Sequence, residues 1–152
     1  MKKIFALLPL LAFCAVLLAP PAVRADDKSD AVRMVHTAAS YLKANGMEKA
    51  LDAVNDPAGE FVKGELYVFA FDLSGILLAN ATKPAMVGQN LLDVPDSAGK
   101  RFRREFIDLA LKSGSGWVDY RILNPKSKEI EAKTSYIEKA GDLVFGCGIY
   151  KK

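Results

Sequence analysis

The stretch Glu65-Leu66-Tyr67-Val68-Phe69-Ala70-Phe71, with Asp72-Leu73-Ser74-Gly75 and Ile76-Leu77-Leu78-Ala79 behind it, decides the fold class of this 152-residue chain. The first seven residues are dense in aromatic and β-branched side chains, and they alternate. Tyr67, Phe69 and Phe71 fall on one face, with Leu66, Val68 and Ala70 on the other. Asp72-Leu73-Ser74-Gly75 suits a type I turn with Gly at its last position, so residues 76–79 return as the second arm of a hairpin.

Downstream, residues 82–99 carry Pro84, Gly88, Pro95 and Gly99 and read as a loop with short helical pieces. Residues 100–112 regain helical spacing, with Phe102, Phe106, Leu109 and Ala110 as the buried stripe. The basic run Lys100-Arg101-Phe102-Arg103-Arg104 reads as a solvated face, because Arg101–Glu105, Arg104–Asp108 and Asp108–Lys112 are opposite charges four residues apart. Gly114-Ser115-Gly116 is a turn. Three strands follow at 117–123, 129–137 and 143–150, separated by Asn124-Pro125 and Ala140-Gly141-Asp142.

Upstream, Ser29 can cap a helix running to about Asn45, with Val32, Val35, Ala39 and Leu42 at helical spacing and Asn45-Gly46 as its stop. A second helix places Met47, Ala50, Leu51 and Val54 on one side and ends at Asn55-Asp56-Pro57. Together these elements predict an α+β unit, a long leading helix on a five-stranded antiparallel sheet.

Composition narrows the function classes. With 51% hydrophobic and 26% charged residues the chain is ordinary for one compact unit. Residues 1–25 hold three of the 21 basic side chains (Lys2, Lys3 and Arg24) and none of the 18 acidic ones, so the remainder carries 18 of each. That balance argues against a nucleic-acid binder and against a polybasic membrane-surface protein.

Residues 1–25 read as an export signal. Lys2 and Lys3 precede an apolar run over residues 4–19, which at 16 residues falls short of the ~20 a bilayer span needs. Val23-Arg24-Ala25 supplies the small residues of a cleavage site, so a domain over residues 26–152 is expected in the periplasm or secreted. Lipidation at Cys14 is not expected, since Phe13 stands where a small residue is required. Beyond the cleavage point Cys147 is the one cysteine left, which precludes an intrachain disulfide.

The inventory for catalysis is thin. His36 falls on the polar side of its helix, and Cys147 lies in the apolar Phe145-Gly146-Cys147-Gly148-Ile149. Spaced Cys or His pairs and a strand-to-helix phosphate loop are absent, so an enzyme, a metal and a cofactor are not expected. The Gly-x-Gly at 146–148 ends in a strand and is discounted as a phosphate loop.

Aromatics and one cation on the predicted strands are more suggestive. Tyr67, Phe69, Trp117, Tyr120 and Tyr136 supply apolar walls with polar tips, and Lys133 sits inside a strand. Such a pocket, holding a fixed cation, captures a small carboxylate. The other reading makes the aromatics plain core and lets Lys133 reach the sheet edge. Alternation also puts Lys133 and Tyr136 on opposite faces unless a bulge intervenes.

The order of these segments resembles a family. Residues 64–75, Leu77-Leu78-Ala79-Asn80, Pro84 and Val87-Gly88-Gln89-Asn90-Leu91 are similar to the hairpin and following loop of single Cache domains. Gly116-Trp117-Val118-Asp119-Tyr120, Lys133-Thr134-Ser135-Tyr136-Ile137 and Gly146-Cys147-Gly148-Ile149-Tyr150 follow in the family's order, and the likeness spans residues 29–152. It implies a PAS-like antiparallel sheet under a long N-terminal helix. It further implies an extracytoplasmic sensor, of the kind found in chemoreceptors and histidine kinases, with a pocket for a small ligand, often a short organic acid. Tyr67, Trp117, Tyr120, Lys133 and Tyr136 match positions that line or support that pocket, with Lys133 as the partner of a carboxylate. Two positions depart from the pattern: Asn80 where His is common, and Ile122 where an aromatic is common.

The expected function is therefore an exported small-molecule binding module in signal transduction or chemotaxis, passing its output to a membrane histidine kinase or chemoreceptor. The alternative is an interaction protein that docks on such a partner without a ligand of its own. A hydrolase using Cys147 would require an accessible, activated thiol.

Overall fold

The structure, a computed structural model, describes residues 25–151; the signal-peptide reading of residues 1–25 thus lies, apart from Ala25, outside the described residues. Helix α1 (Ala25–Asn45) begins four residues ahead of Ser29, so Ser29 lies within the helix and does not cap it. Asp27 and Asp30 lie in its opening turns, where the helix dipole favours negative charge. Helix α2 (Met47–Asn55) follows Gly46 and buries Ala50 and Val54.

A two-residue strand β1 (Val62–Lys63) leads into β2 (Leu66–Asp72) and β3 (Leu77–Asn80). The turn between β2 and β3 is held by Asp72, whose Oδ1 accepts from the Ser74 and Ile76 backbone N–H groups at 2.9 and 2.8 Å. Gly75 adopts φ 87°, and a Cβ there would lie 2.5 Å from Leu92 Cβ, so the turn needs glycine. The loop that follows contains one 3-10 turn, Pro84–Met86.

Helix α3 (Phe102–Ser113) and strands β4 (Ser115–Leu123), β5 (Ile130–Ala140) and β6 (Leu143–Tyr150) complete the fold. Five strands pair antiparallel in the order β3-β2-β6-β5-β4, and β1 adds a two-residue pairing to the start of β2. The α+β expectation of a long helix on a five-stranded antiparallel sheet matches this architecture.

Strand alternation splits the core in two. On one face α1 and α2 cover Val68, Ala70, Phe145 and Cys147, with Ala31, Val35 and Val54 from the helices. On the other face α3 and the 81–100 loop cover Phe69, Phe71, Val118, Tyr120 and Ile137. Every residue of β6 is buried, as expected of a strand sandwiched between two layers.

The basic run at the start of α3 departs from expectation. Arg104 reaches back to Asp93 in a forked contact at 2.6 and 2.8 Å, and Lys100 pairs with Glu105 in place of Arg101. Arg103 turns inward and is 8% exposed, because residues 103, 106, 107 and 110 share the helix face that packs on the sheet. The run is a solvated face at Arg101 and Arg104 only.

Candidate functional site

Unbroken register between β4, β5 and β6 lays rows of side chains across the sheet face under α3. One row runs Phe69, Gly146, Ile137, Gly116; the next runs Gly148, Ser135, Val118; a third runs Tyr150, Lys133, Tyr120. The two glycines of β6 are required by what lies over them. A Cβ on Gly146 would come within 2.3 Å of Phe69 Cζ, and one on Gly148 within 2.2 Å of Lys133 Cε. The Gly-x-Gly that the sequence offers is thus a floor cut away for an aromatic ring and a lysine stem.

Lys133 is 1% exposed. Its Nζ donates to the Tyr67 hydroxyl at 2.9 Å and lies 4.3 Å from the Tyr67 ring centroid and 4.4 Å from that of Tyr150. The two ring faces offset part of the cost of burying an ammonium. No carboxylate of the described residues pairs with it. A buried charge left in this state favours any anion that can approach.

The phenols around it respond. Burial raises the Tyr67 hydroxyl, but the charge and hydrogen bond of Lys133, aided by Thr82 and Lys83, outweigh burial and hold it below the usual range. Burial pushes Tyr150 up, with the charge of Tyr67 and a side-chain hydrogen bond to it adding to the effect, though the Tyr150 hydroxyl makes no hydrogen bond of ordinary length and angle among the described residues. Tyr120 is pushed well up by burial, and its hydroxyl lies 2.8 Å from Ser135 Oγ.

Beside this group lies a cavity of about 40 Å³, lined by Tyr67, Phe69, Asn80, Lys83, Arg103 and Tyr120, with Phe71, Leu77, Met86, Leu91, Phe102, Phe106 and Ile122 as its apolar walls. Burial holds the Lys83 and Arg103 cations below their usual values, and the charges of Lys133 and Arg103 oppose that of Lys83 further. Asn80 sets the loop that carries Lys83: its Oδ1 accepts from the backbone N–H groups of Thr82 and Lys83 at 3.0 and 3.1 Å. The cavity wall therefore holds two cations, with a third behind Tyr67, and no carboxylate.

Of the residues singled out from sequence, Tyr67, Phe69 and Tyr120 line this cavity, and Lys133 meets it through Tyr67. Trp117 and Tyr136 do not join them. They pair across β4 and β5 with rings 5.5 Å apart, on the face that α1 covers. Lys28 lies over Trp117 at 5.2 Å, and His36, whose Nδ1 is 2.8 Å from Glu138 Oε2, lies beside Tyr136. The pairing is unbroken from Ser115 to Leu123, so no bulge brings Tyr136 round to the side of Lys133. Arg103, Lys83 and the two glycines were missed by the sequence reading. The spacing of Arg103 from Phe106, Ile107 and Ala110 is the signal that finds the first of them.

Cys147 lies on the α1 face, fully buried, and burial pushes its thiol up to about 12. A thiolate nucleophile is not supported at that position.

The sequence profile of the Cache domain family matches residues 34–152. Methyl-accepting chemotaxis protein McpP of Pseudomonas putida is 31% identical over 86 residues, 55% of this chain, and the match spans 16% of that protein's length. The solved structure of a methyl-accepting chemotaxis protein from Vibrio parahaemolyticus superposes with a TM-score of 0.70 at 25% identity, covering 82% of this chain and 88% of the other. A Cache chemosensory domain, solved to explain its recognition of carboxylic acids, has the same fold with a TM-score of 0.70 at 23% identity over 84% of this chain and 95% of its own. With the profile match over most of its length and the PAS-like sheet under a long helix, the chain belongs to the Cache domain family and is a single Cache sensor domain.

Proposed function

We propose that this chain is an exported, periplasmic sensor module that binds a short organic acid between α3 and the sheet and passes the signal to a membrane partner, a chemoreceptor or a histidine kinase. The observation that carries the reading is the charge of the cavity. Lys83 and Arg103 line it and Lys133 lies behind Tyr67, with no carboxylate among the described residues that line it, and an acid supplies the missing charge. Tyr67 and Lys133 form the seat, with Phe69 and Tyr120 as walls. The recognition of carboxylic acids by a domain of the same fold supports the ligand class.

Thermal denaturation with a panel of short acids tests it. A ligand that binds the native state stabilises it by RT ln(1 + [L]/Kd), ~2.7 kcal/mol at a hundredfold excess over Kd. At least one acid is expected to raise the melting temperature, and Lys133→Ala to abolish the rise. No rise across the panel, or a rise that survives Lys133→Ala, contradicts the reading.

The ligand-free docking alternative draws on a different feature, an open groove of about 750 Å³ along α1 lined by Lys28, Val32, Arg33, His36, Ser40 and Trp117. The same experiment separates the two, since docking alone leaves the melting temperature unmoved by any acid.

A further inference from the structure

We propose that Tyr150, which lines no part of the cavity, is a positioning residue for it: when the Tyr67 hydroxyl donates to a guest, the Tyr150 hydroxyl closes onto the Tyr67 oxygen and carries occupancy to the end of β6. The inference rests on the reading that a small acid engages Tyr67, and it concerns a residue that reading does not use.

Register brings three polar tips together. Lys133 on β5 stands directly opposite Tyr150 on β6, and its stem crosses Gly148 to reach Tyr67 on β2. The ammonium therefore lies between two phenols, 4.3 Å from the Tyr67 ring centroid and 4.4 Å from that of Tyr150. Of the two, Tyr67 takes its hydrogen bond, at 2.9 Å. Tyr150 is 7% exposed, and its hydroxyl makes no hydrogen bond of ordinary length and angle among the described residues; its one polar contact is with Tyr67. A buried hydroxyl in that state gains from any change that gives it a good acceptor.

Tyr67 supplies the change. A phenol both donates and accepts, and its oxygen already accepts from Lys133, which leaves its proton to be given on the side of the cavity that Tyr67 lines. The Thr82 hydroxyl, a further polar group beside Tyr67, gives its own proton to Asn80 Oδ1 at 2.9 Å and so does not compete for the Tyr67 oxygen. Donation to an acid draws electron density onto the phenol oxygen and makes it a stronger acceptor, for Lys133 and for Tyr150 alike. The chain from Tyr150 through Tyr67 to the guest then tightens as a unit. Tyr150 is the last residue of β6, and Lys151 beyond it is tied by its N–H to the Ala132 carbonyl at 2.8 Å and by its ammonium to Asp119 at 2.7 Å. A bond gained at Tyr150 thus reaches the corner where β4, β5 and β6 meet.

Titration calorimetry of the whole protein with formate, acetate and propionate, paired with urea unfolding of the acid-free protein, tests this. Tyr150→Phe is expected to weaken the tightest-binding acid ~3–10-fold and to leave the acid-free unfolding midpoint in place. Wild-type protein isotope-labelled at the tyrosine Cζ gives a second reading that needs no variant: acid is expected to move the Tyr150 resonance together with that of Tyr67. An affinity unchanged by Tyr150→Phe, or a resonance shift confined to Tyr67, overturns the inference and leaves the acid-binding reading standing. A midpoint that falls in the acid-free variant also overturns it, because the hydroxyl would then be bonded before any guest arrives. If none of the three acids binds the wild type, the acid-binding reading and the inference fall together.

Discussion

Lys133 Nζ and the Tyr67 hydroxyl, sixty-six residues apart in the chain, lie 2.9 Å from each other in the core, with the ammonium 4.3 Å from the Tyr67 ring centroid. The contact joins β5 to β2 over β6, which lies between them in the sheet. It is possible because β6 offers Gly148 beneath the lysine stem.

Gly148→Ala is expected to break that arrangement. The new Cβ would stand 2.2 Å from Lys133 Cε and 2.5 Å from Ser135 Oγ, and overpacking of this kind costs ~1–3 kcal/mol. Urea unfolding should show a lower midpoint with an unchanged slope, together with a loss of acid binding. A variant as stable as the wild type would show that Lys133 does not lie across the strand.

Two tyrosine substitutions should part company. Tyr120→Phe leaves Ser135 Oγ without its 2.8 Å partner in a buried setting, at a cost of ~1–3 kcal/mol. Tyr150→Phe removes a hydroxyl whose one polar contact, with Tyr67, falls outside ordinary hydrogen-bond geometry, so its effect should stay within ~0.5 kcal/mol. Equilibrium denaturation of both, side by side, checks the contrast; equal losses would contradict the placement of the two phenols.

Asp96 ties the loop before α3 to the edge strand β4. Its carboxylate accepts from the backbone N–H groups of Ala98, Lys100 and Arg121 at 2.8, 2.9 and 2.9 Å. Partial burial raises its carboxyl, but these three donors prevail and hold it below the ordinary 3.8. Stability from a depressed carboxyl is present above its unfolded value and is lost as pH falls through the folded one. Asp96→Ala should therefore cost ~1–2 kcal/mol near neutral pH, and that deficit should shrink below ~pH 4. A deficit independent of pH would assign the effect to packing.

Cys147 offers a probe of the remaining enzymatic idea. With its thiol buried and pushed up to about 12, an aromatic disulfide reagent should label it in unfolded protein and leave the native protein untouched over the same minutes. Rapid labelling of the native state would reopen a nucleophilic role.

How far the sequence could be read follows from which features are local. The alternation of Tyr67, Phe69 and Phe71 gives the strand and its two faces, and the same parity separates Lys133 from Tyr136, which the unbroken β4–β5 pairing bears out. The start of α1 was harder, because Ser29 is a good cap residue but the helix extends back to Ala25. Arg103 was obscured by local charge pairing. Asp93 lies in an irregular loop, and nothing local reveals that it captures Arg104 and leaves Arg103 to the interior. The glycines of β6 were legible in principle. The turn after Ala140 fixes Ala140 opposite Leu143, and counting back from it sets Gly148 opposite Ser135. Their purpose needed a third strand, since Gly146 makes room for Phe69 on β2.

The most direct measurement is a crystal structure of the protein grown with a saturating short acid. The account predicts a carboxylate on the α3 side of the sheet, within hydrogen-bond distance of the Tyr67 hydroxyl or Lys133 Nζ. An acid found along the α1 groove beside Trp117, with the Lys133 side filled by protein, would contradict it.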